Sequence, residues 1–127
     1  MDLLLDTHVF LWWDADSSQL GPETRAAIAD PANRIFVSAA SIWEIGIKRR
    51  TGKLVFSGSA VEAIGKNGFV ELAISGRDAE GAAALDWDHA DPFDRLLVAQ
   101  ARSASMTLAT VDKAIRRFGG VAHLSGQ

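Results

Sequence analysis

Leu3-Leu4-Leu5 is an unbroken apolar run, too short for a helix, and it is closed by an acid, Asp6. A strand over residues 2–5 with no polar alternation is one buried on both faces, which demands helices above and below a mainly parallel sheet. In an open sheet of that kind the carboxyl ends of the strands and the helix N-termini share one edge, where sites are built. Asp6 therefore stands where chemistry is expected.

The rest of the chain keeps the alternation. Helical patterning runs from Thr7 to about Asp14, with His8, Leu11 and Trp12 sharing one face, which makes Trp12 a core residue and leaves Trp13 partly exposed. Pro22 opens a helix to about Ala29, and Arg34–Val37 reads as a strand. Ser38 caps a helix over 39–50 that Thr51-Gly52 ends, and further helices are expected at about 58–66 and 76–85, around a strand at 69–73. Asp91-Pro92 starts a helix to about 103, followed by a strand at 106–109, a short helix at 112–118 and a strand at 121–124. Strands alternating with helices over short connections predict a three-layer α/β/α sandwich with a mainly parallel central sheet. The length of 127 residues suits a single domain spanning 1–127.

Three further acids fall where such a sheet could gather them beside Asp6: Glu44, Asp94 and Asp112. Each has a plainer reading. Asp6 and Asp112 suit helix N-caps, and Asp94 at the third position after Asp91 suits a capping box. Glu44 lies mid-helix on a face with Ala40 and Ile47, where a carboxylate needs solvent or a cation, and Lys48 at i+4 offers an ordinary ion pair. Asp91, Ser38 and Ser41 suit capping first. Four carboxylates in one pocket repel unless cations hold them, so their convergence predicts hard ions, Mg²⁺ or Mn²⁺. The absence of cysteine and the scatter of the three histidines argue against zinc, and His8, His89 and Trp87 read as packing or surface residues.

Lys48, Arg49, Arg50 and Lys53 form the dense basic stretch, either a solvated helix end or a phosphate-binding patch beside the acids. Arg95 is a further candidate for the substrate backbone or for pairing with an acid, as are Arg116 and Arg117. The net charge of -3 does not itself advertise a polyanionic ligand. No run approaches the roughly 18 apolar residues of a membrane span and no charged leader precedes an apolar stretch, so no membrane is expected and a cytoplasmic location is. The aromatic pair Trp12-Trp13 and the helix over 22–29 suggest a protein interface, a homodimer or an inhibitor groove.

In order along the chain, Leu4-Leu5-Asp6-Thr7-His8, Ser41-Ile42-Trp43-Glu44-Ile45, Asp91-Pro92-Phe93-Asp94-Arg95-Leu96-Leu97-Val98-Ala99-Gln100-Ala101 and Thr107-Leu108-Ala109-Thr110-Val111-Asp112 resemble the PIN-domain ribonucleases, and more narrowly the VapC-type toxins of bacterial toxin–antitoxin pairs. The segment from Asp91 to Ala101 carries most of the specificity. The resemblance implies a PIN-like fold, endonucleolytic cutting of RNA at a divalent-metal site, and a small VapB-type antitoxin as partner. It maps the acidic quartet of that family onto Asp6, Glu44, Asp94 and Asp112, and its hydroxyl onto Thr110; the charge pattern, separately, offers Lys48, Arg49 and Arg95 as substrate contacts. Two other readings compete. A haloacid dehalogenase-like phosphohydrolase also places an aspartate after its first strand, but wants a second aspartate where this chain has His8. A non-catalytic RNA-binding PIN-like module would be expected to lack one of the acids.

Overall fold

The computed structural model describes residues 1–126. Five strands alternate with seven helices among them: β1 (Asp2–Leu5), α1 (Thr7–Asp14), α2 (Pro22–Ala29), β2 (Arg34–Ser38), α3 (Ala39–Arg50), α4 (Ala60–Lys66), β3 (Val70–Leu72), α5 (Gly76–Ala84), α6 (Pro92–Ser103), β4 (Thr107–Thr110), α7 (Lys113–Phe118) and β5 (His123–Ser125). The strands form one sheet in the order β3-β2-β1-β4-β5, and every pairing is parallel.

The pleat divides the core into two layers, as a sheet covered on both faces requires. Leu3 pairs in register with Ile35, and Leu5 with Val37 and Ala109; these five face one way, against Val9 and Phe10 of α1, Ile28 of α2, Ile45 of α3 and Ile64 of α4. Leu4, between Phe36 and Leu108, faces the other way, against Leu97, Val98 and Ala101 of α6 and Ile115 of α7. All three leucines of β1 are wholly buried. The expected three-layer parallel sandwich is the observed fold.

The local differences have physical causes. α4 begins at Ala60 rather than 58, because Gly58 takes a left-handed φ of +79° and Ser59 then caps by accepting the Glu62 amide. β4 sits one residue later than expected and so ends on Thr110, which brings that hydroxyl to the functional edge. The last strand is His123–Ser125, after Gly119 ends α7 in the left-handed region.

The face of α1 differs too. Thr7, Val9 and Phe10 are buried, His8 is exposed, and Leu11 and Trp12 are half-buried along with Trp13. A two-turn helix feeding directly from β1 presents Val9 and Phe10 to the sheet, so the His8/Leu11/Trp12 stripe becomes the wall of a groove. On α3 the buried face is Ala40, Ser41, Glu44 and Ile45, whereas Ile47 is exposed. α2 buries Thr24 and Ile28 and shows no large apolar side chain outward, so it does not supply the apolar surface expected of it.

Candidate active site

β1 has β2 on one side and β4 on the other, and the chain leaves the carboxyl ends of β1 and β4 towards opposite layers. That crevice is the topological switch point of the sheet. A cavity of about 480 Å³ lies there, lined by Asp6, Glu44, Asp91, Asp94 and Asp112 together with Thr7, His8, Lys48 and Lys113. All four acids singled out from the sequence meet in one place, five carboxylates facing two lysines.

Asp6 is held from two directions. Its Oδ1 accepts the Val9 amide at 2.8 Å, capping α1, and its Oδ2 accepts the Val111 amide at 3.0 Å, just past β4. Capping and site membership are thus the same geometry, not rivals. Burial pushes its pKa up, against the pull of the Thr110 hydroxyl and the two amides. Asp112 repeats the pattern: Oδ1 accepts the amides of Ala114 at 2.8 Å and Ile115 at 3.1 Å, capping α7, while its own amide donates to Thr110 Oγ1 at 3.0 Å. Thr110 is fully buried and serves as the link between the two aspartates.

Glu44 is buried, one turn into α3, and each carboxylate oxygen has a donor. The Thr7 hydroxyl donates to Oε1 at 2.5 Å and Lys48 Nζ to Oε2 at 2.5 Å. Thr7 Oγ1 also lies 2.9 Å from Ser41 Oγ. The expected i, i+4 pair is present, but it neutralises a buried pocket acid rather than decorating a surface.

Asp94 sits in the first turn of α6, and the capping box expected of it does not form. Asp91 is the N-cap, as expected, its Oδ1 accepting the Phe93 and Asp94 amides at 2.9 and 3.2 Å, while the Asp94 carboxylate turns away from the Asp91 amide. Asp94 Oδ2 faces His89 Nε2 at 2.8 Å. Burial, with Asp91 and Asp112 adding to it, pushes the Asp94 carboxyl up to about 7 even against the His89 bond. The same bond raises the His89 pKa. Ligand atoms of His89, Asp94 and Asp112 lie within 4.8 Å of one another, close enough to share one cation.

Two residues escaped the sequence reading. His89 packs on Trp87, as expected of it, but its Nε2 also meets the Asp94 carboxylate, a role the sequence does not reveal. Thr7 follows Asp6 and was visible only as a helix start; a buried Glu44 needing a donor was the available signal. Two cations are displaced from the role expected of them. Arg95 donates to the carbonyls of Ala82, Ala83, Leu85, Trp87 and His89 and does not line the cavity. Arg49 donates to the carbonyls of Phe56 and Gly58. Both guanidiniums anchor loops. Lys48 alone of the three expected substrate contacts stands at the acids.

A parallel three-layer sandwich that gathers carboxylates at its switch point is an arrangement able to hold a hard cation. The PIN domain family model matches residues 3–121, and the chain belongs to that family. The neighbouring solved structures share its fold over nearly the whole length: VapBC2 from Rickettsia felis bound to a promoter DNA fragment (14% identity, 100% of each chain, TM-score 0.69), a toxin–antitoxin complex from Klebsiella pneumoniae (18%, 98% of each, 0.67) and VapBC-1 from nontypeable Haemophilus influenzae (16%, 98% of each, 0.63). No curated protein matches the chain in sequence. No helix among the described residues is long and apolar enough to cross a membrane.

Proposed function

We propose that this chain is a Mg²⁺- or Mn²⁺-dependent endoribonuclease, a single PIN domain acting in the cytoplasm as the toxin of a toxin–antitoxin pair. The observation that carries this reading is the convergence of Asp6, Glu44, Asp94 and Asp112, from four separate stretches of chain, on one cavity at the switch point. The donor set fits a hard, partly hydrated ion, since the oxygens are carboxylate and hydroxyl and thiolates are lacking. Asp6, Glu44, Asp94 and Asp112 would hold it. When bound, such an ion supplies a Lewis acid for the scissile phosphate and a water of lowered pKa.

The chain's own groups do the positioning. Asp6 and Asp112 have little rotational freedom, because backbone amides grip both. Thr110 couples them across the end of β4. Lys48 presents a cation beside Glu44, offsets part of the repulsion that an acidic mouth offers to RNA, and can pass from Glu44 to a phosphate oxygen.

The partner reading draws support from the neighbours, which are themselves toxin–antitoxin assemblies. Next to the acids lies a larger, more apolar groove of about 670 Å³ that includes His8, Leu11, Trp12, Leu54 and Phe56, and it suits a segment of a small VapB-type antitoxin. A homodimer is proposed through the outer side of α3, where Trp43 and Ile47 stand one turn apart and 60% and 39% exposed. The test is cleavage of RNA by the purified chain. Activity should need Mg²⁺ or Mn²⁺ and vanish in Asp6→Asn; full activity in excess EDTA removes the reading.

A further inference from the structure

We infer that His89 is a positioning residue of the cation site, donating from Nε2 to Asp94 Oδ2 so that the remaining carboxylate oxygen is held towards the cavity. The inference rests on the cation-dependent reading above. Its starting point is an asymmetry among the four acids. Backbone amides grip Asp6 and Asp112, and Thr7 and Lys48 grip Glu44, one on each oxygen. Among the described residues the Asp94 carboxylate has His89 alone. A carboxylate on the first turn of a helix otherwise turns about its side-chain bonds, and ordering it on binding an ion costs affinity.

The segment that carries His89 is built for this task. Residues 85–91 between α5 and α6 have no regular secondary structure, yet their course is fixed by one guanidinium. Arg95 Nη1 donates to Trp87 O at 2.5 Å and to His89 O at 3.0 Å, Nη2 donates to Leu85 O at 2.9 Å, and Nε to Ala82 O at 2.9 Å. The imidazole then packs on Trp87, with ring centroids 4.6 Å apart and planes 31° apart, and Trp87 stacks on Phe118 at 4.8 Å and 26°. Backbone and ring of His89 are therefore both fixed. Arg95 follows Asp94 directly, so a single turn of α6 carries the acid and the clamp that sets its donor. Donors of this kind, one bond removed from the ion, set ligand orientation, and losing one typically costs about 10–100-fold in metal affinity.

The test is calorimetric titration of Mn²⁺, and separately Mg²⁺, into the purified full chain. His89→Ala should bind both ions about 10–100-fold more weakly than wild type. His89→Gln, whose amide can replace the Nε2 donor without the aromatic ring, should recover most of the loss. Melting in EDTA should show both variants folded. Unchanged affinity in His89→Ala overturns the inference, and so does a His89→Gln as weak as the alanine variant, which would assign the effect to ring packing. A loss with Mn²⁺ but not with Mg²⁺ overturns it as well, because the imidazole would then be a direct ligand. Asp6→Asn separates the two levels: if it binds as tightly as wild type, the cation-site reading itself has failed, whereas its loss beside a normal His89→Ala rejects only the role of His89.

Discussion

The Thr7 hydroxyl, at the first position of α1, donates to Glu44 Oε1 in the middle of α3 over 2.5 Å. Thr7 has a single hydroxyl proton, so the 2.9 Å contact with Ser41 is satisfied by the serine donating back to it. The three side chains form a buried chain that ends on a pocket carboxylate.

Thr7→Val keeps the shape and removes both roles. Glu44 Oε1 loses its donor and Ser41 its acceptor in a buried setting, which should cost about 1–3 kcal/mol. Urea unfolding in EDTA checks this. A variant as stable as wild type would show that water replaces the hydroxyl freely.

Without a divalent ion, stability should fall as pH rises. Asp94 titrates at about 7 in the folded chain against 3.8 unfolded, so between those values the folded state holds a proton that the unfolded state has lost, and each step upward favours unfolding. Asp6, also raised by burial, acts in the same sense. Thermal melts in EDTA should therefore give a lower Tm at pH 8 than at pH 5, Mn²⁺ should restore it at pH 8, and Asp94→Asn should flatten the difference.

Lys48 and Arg49 are neighbours with different jobs. In a cleavage-dead Asp6→Asn background, Lys48→Ala should reduce the slope of log affinity for single-stranded RNA against log salt by about 0.7, the effect of one lost phosphate contact. Arg49→Ala should leave the slope unchanged, because its guanidinium is committed to Phe56 O and Gly58 O. Fluorescence anisotropy across a salt series distinguishes them.

Arg95→Lys should fail as a conservative change. An ammonium cannot span the carbonyls from Ala82 to His89 that the planar fork reaches, and the loss should exceed about 2 kcal/mol. Chemical denaturation measures it.

Much of this site was legible because its acids sit at punctuation. Asp6 closes an apolar strand, Asp112 follows one, and Asp94 trails Asp-Pro at a helix start; boundaries of that kind are written in local sequence. Glu44 was legible as an anomaly, an acid on a buried helical face. What local sequence does not encode is where a long cation ends up. Arg49 and Arg95 satisfy loop carbonyls that come near them only through the tertiary path of residues 56–58 and 82–89, so a basic run could not be sorted into phosphate ligands and anchors. His89 was hidden for the same reason, its place being set by Arg95 and by a stack on Trp87 and Phe118. The α1 stripe failed because helical spacing names a face without saying whether sheet or groove lies opposite.

The most direct test of the shared acidic site is the single-turnover rate of RNA cleavage in Mn²⁺ for wild type and for Asp6→Asn, Glu44→Gln, Asp94→Asn and Asp112→Asn, each confirmed folded. The predicted result is a loss of about 100-fold or more in every one, with wild type inactive in EDTA. Wild-type cleavage rates retained by any two of the four, or undiminished by EDTA, would contradict it.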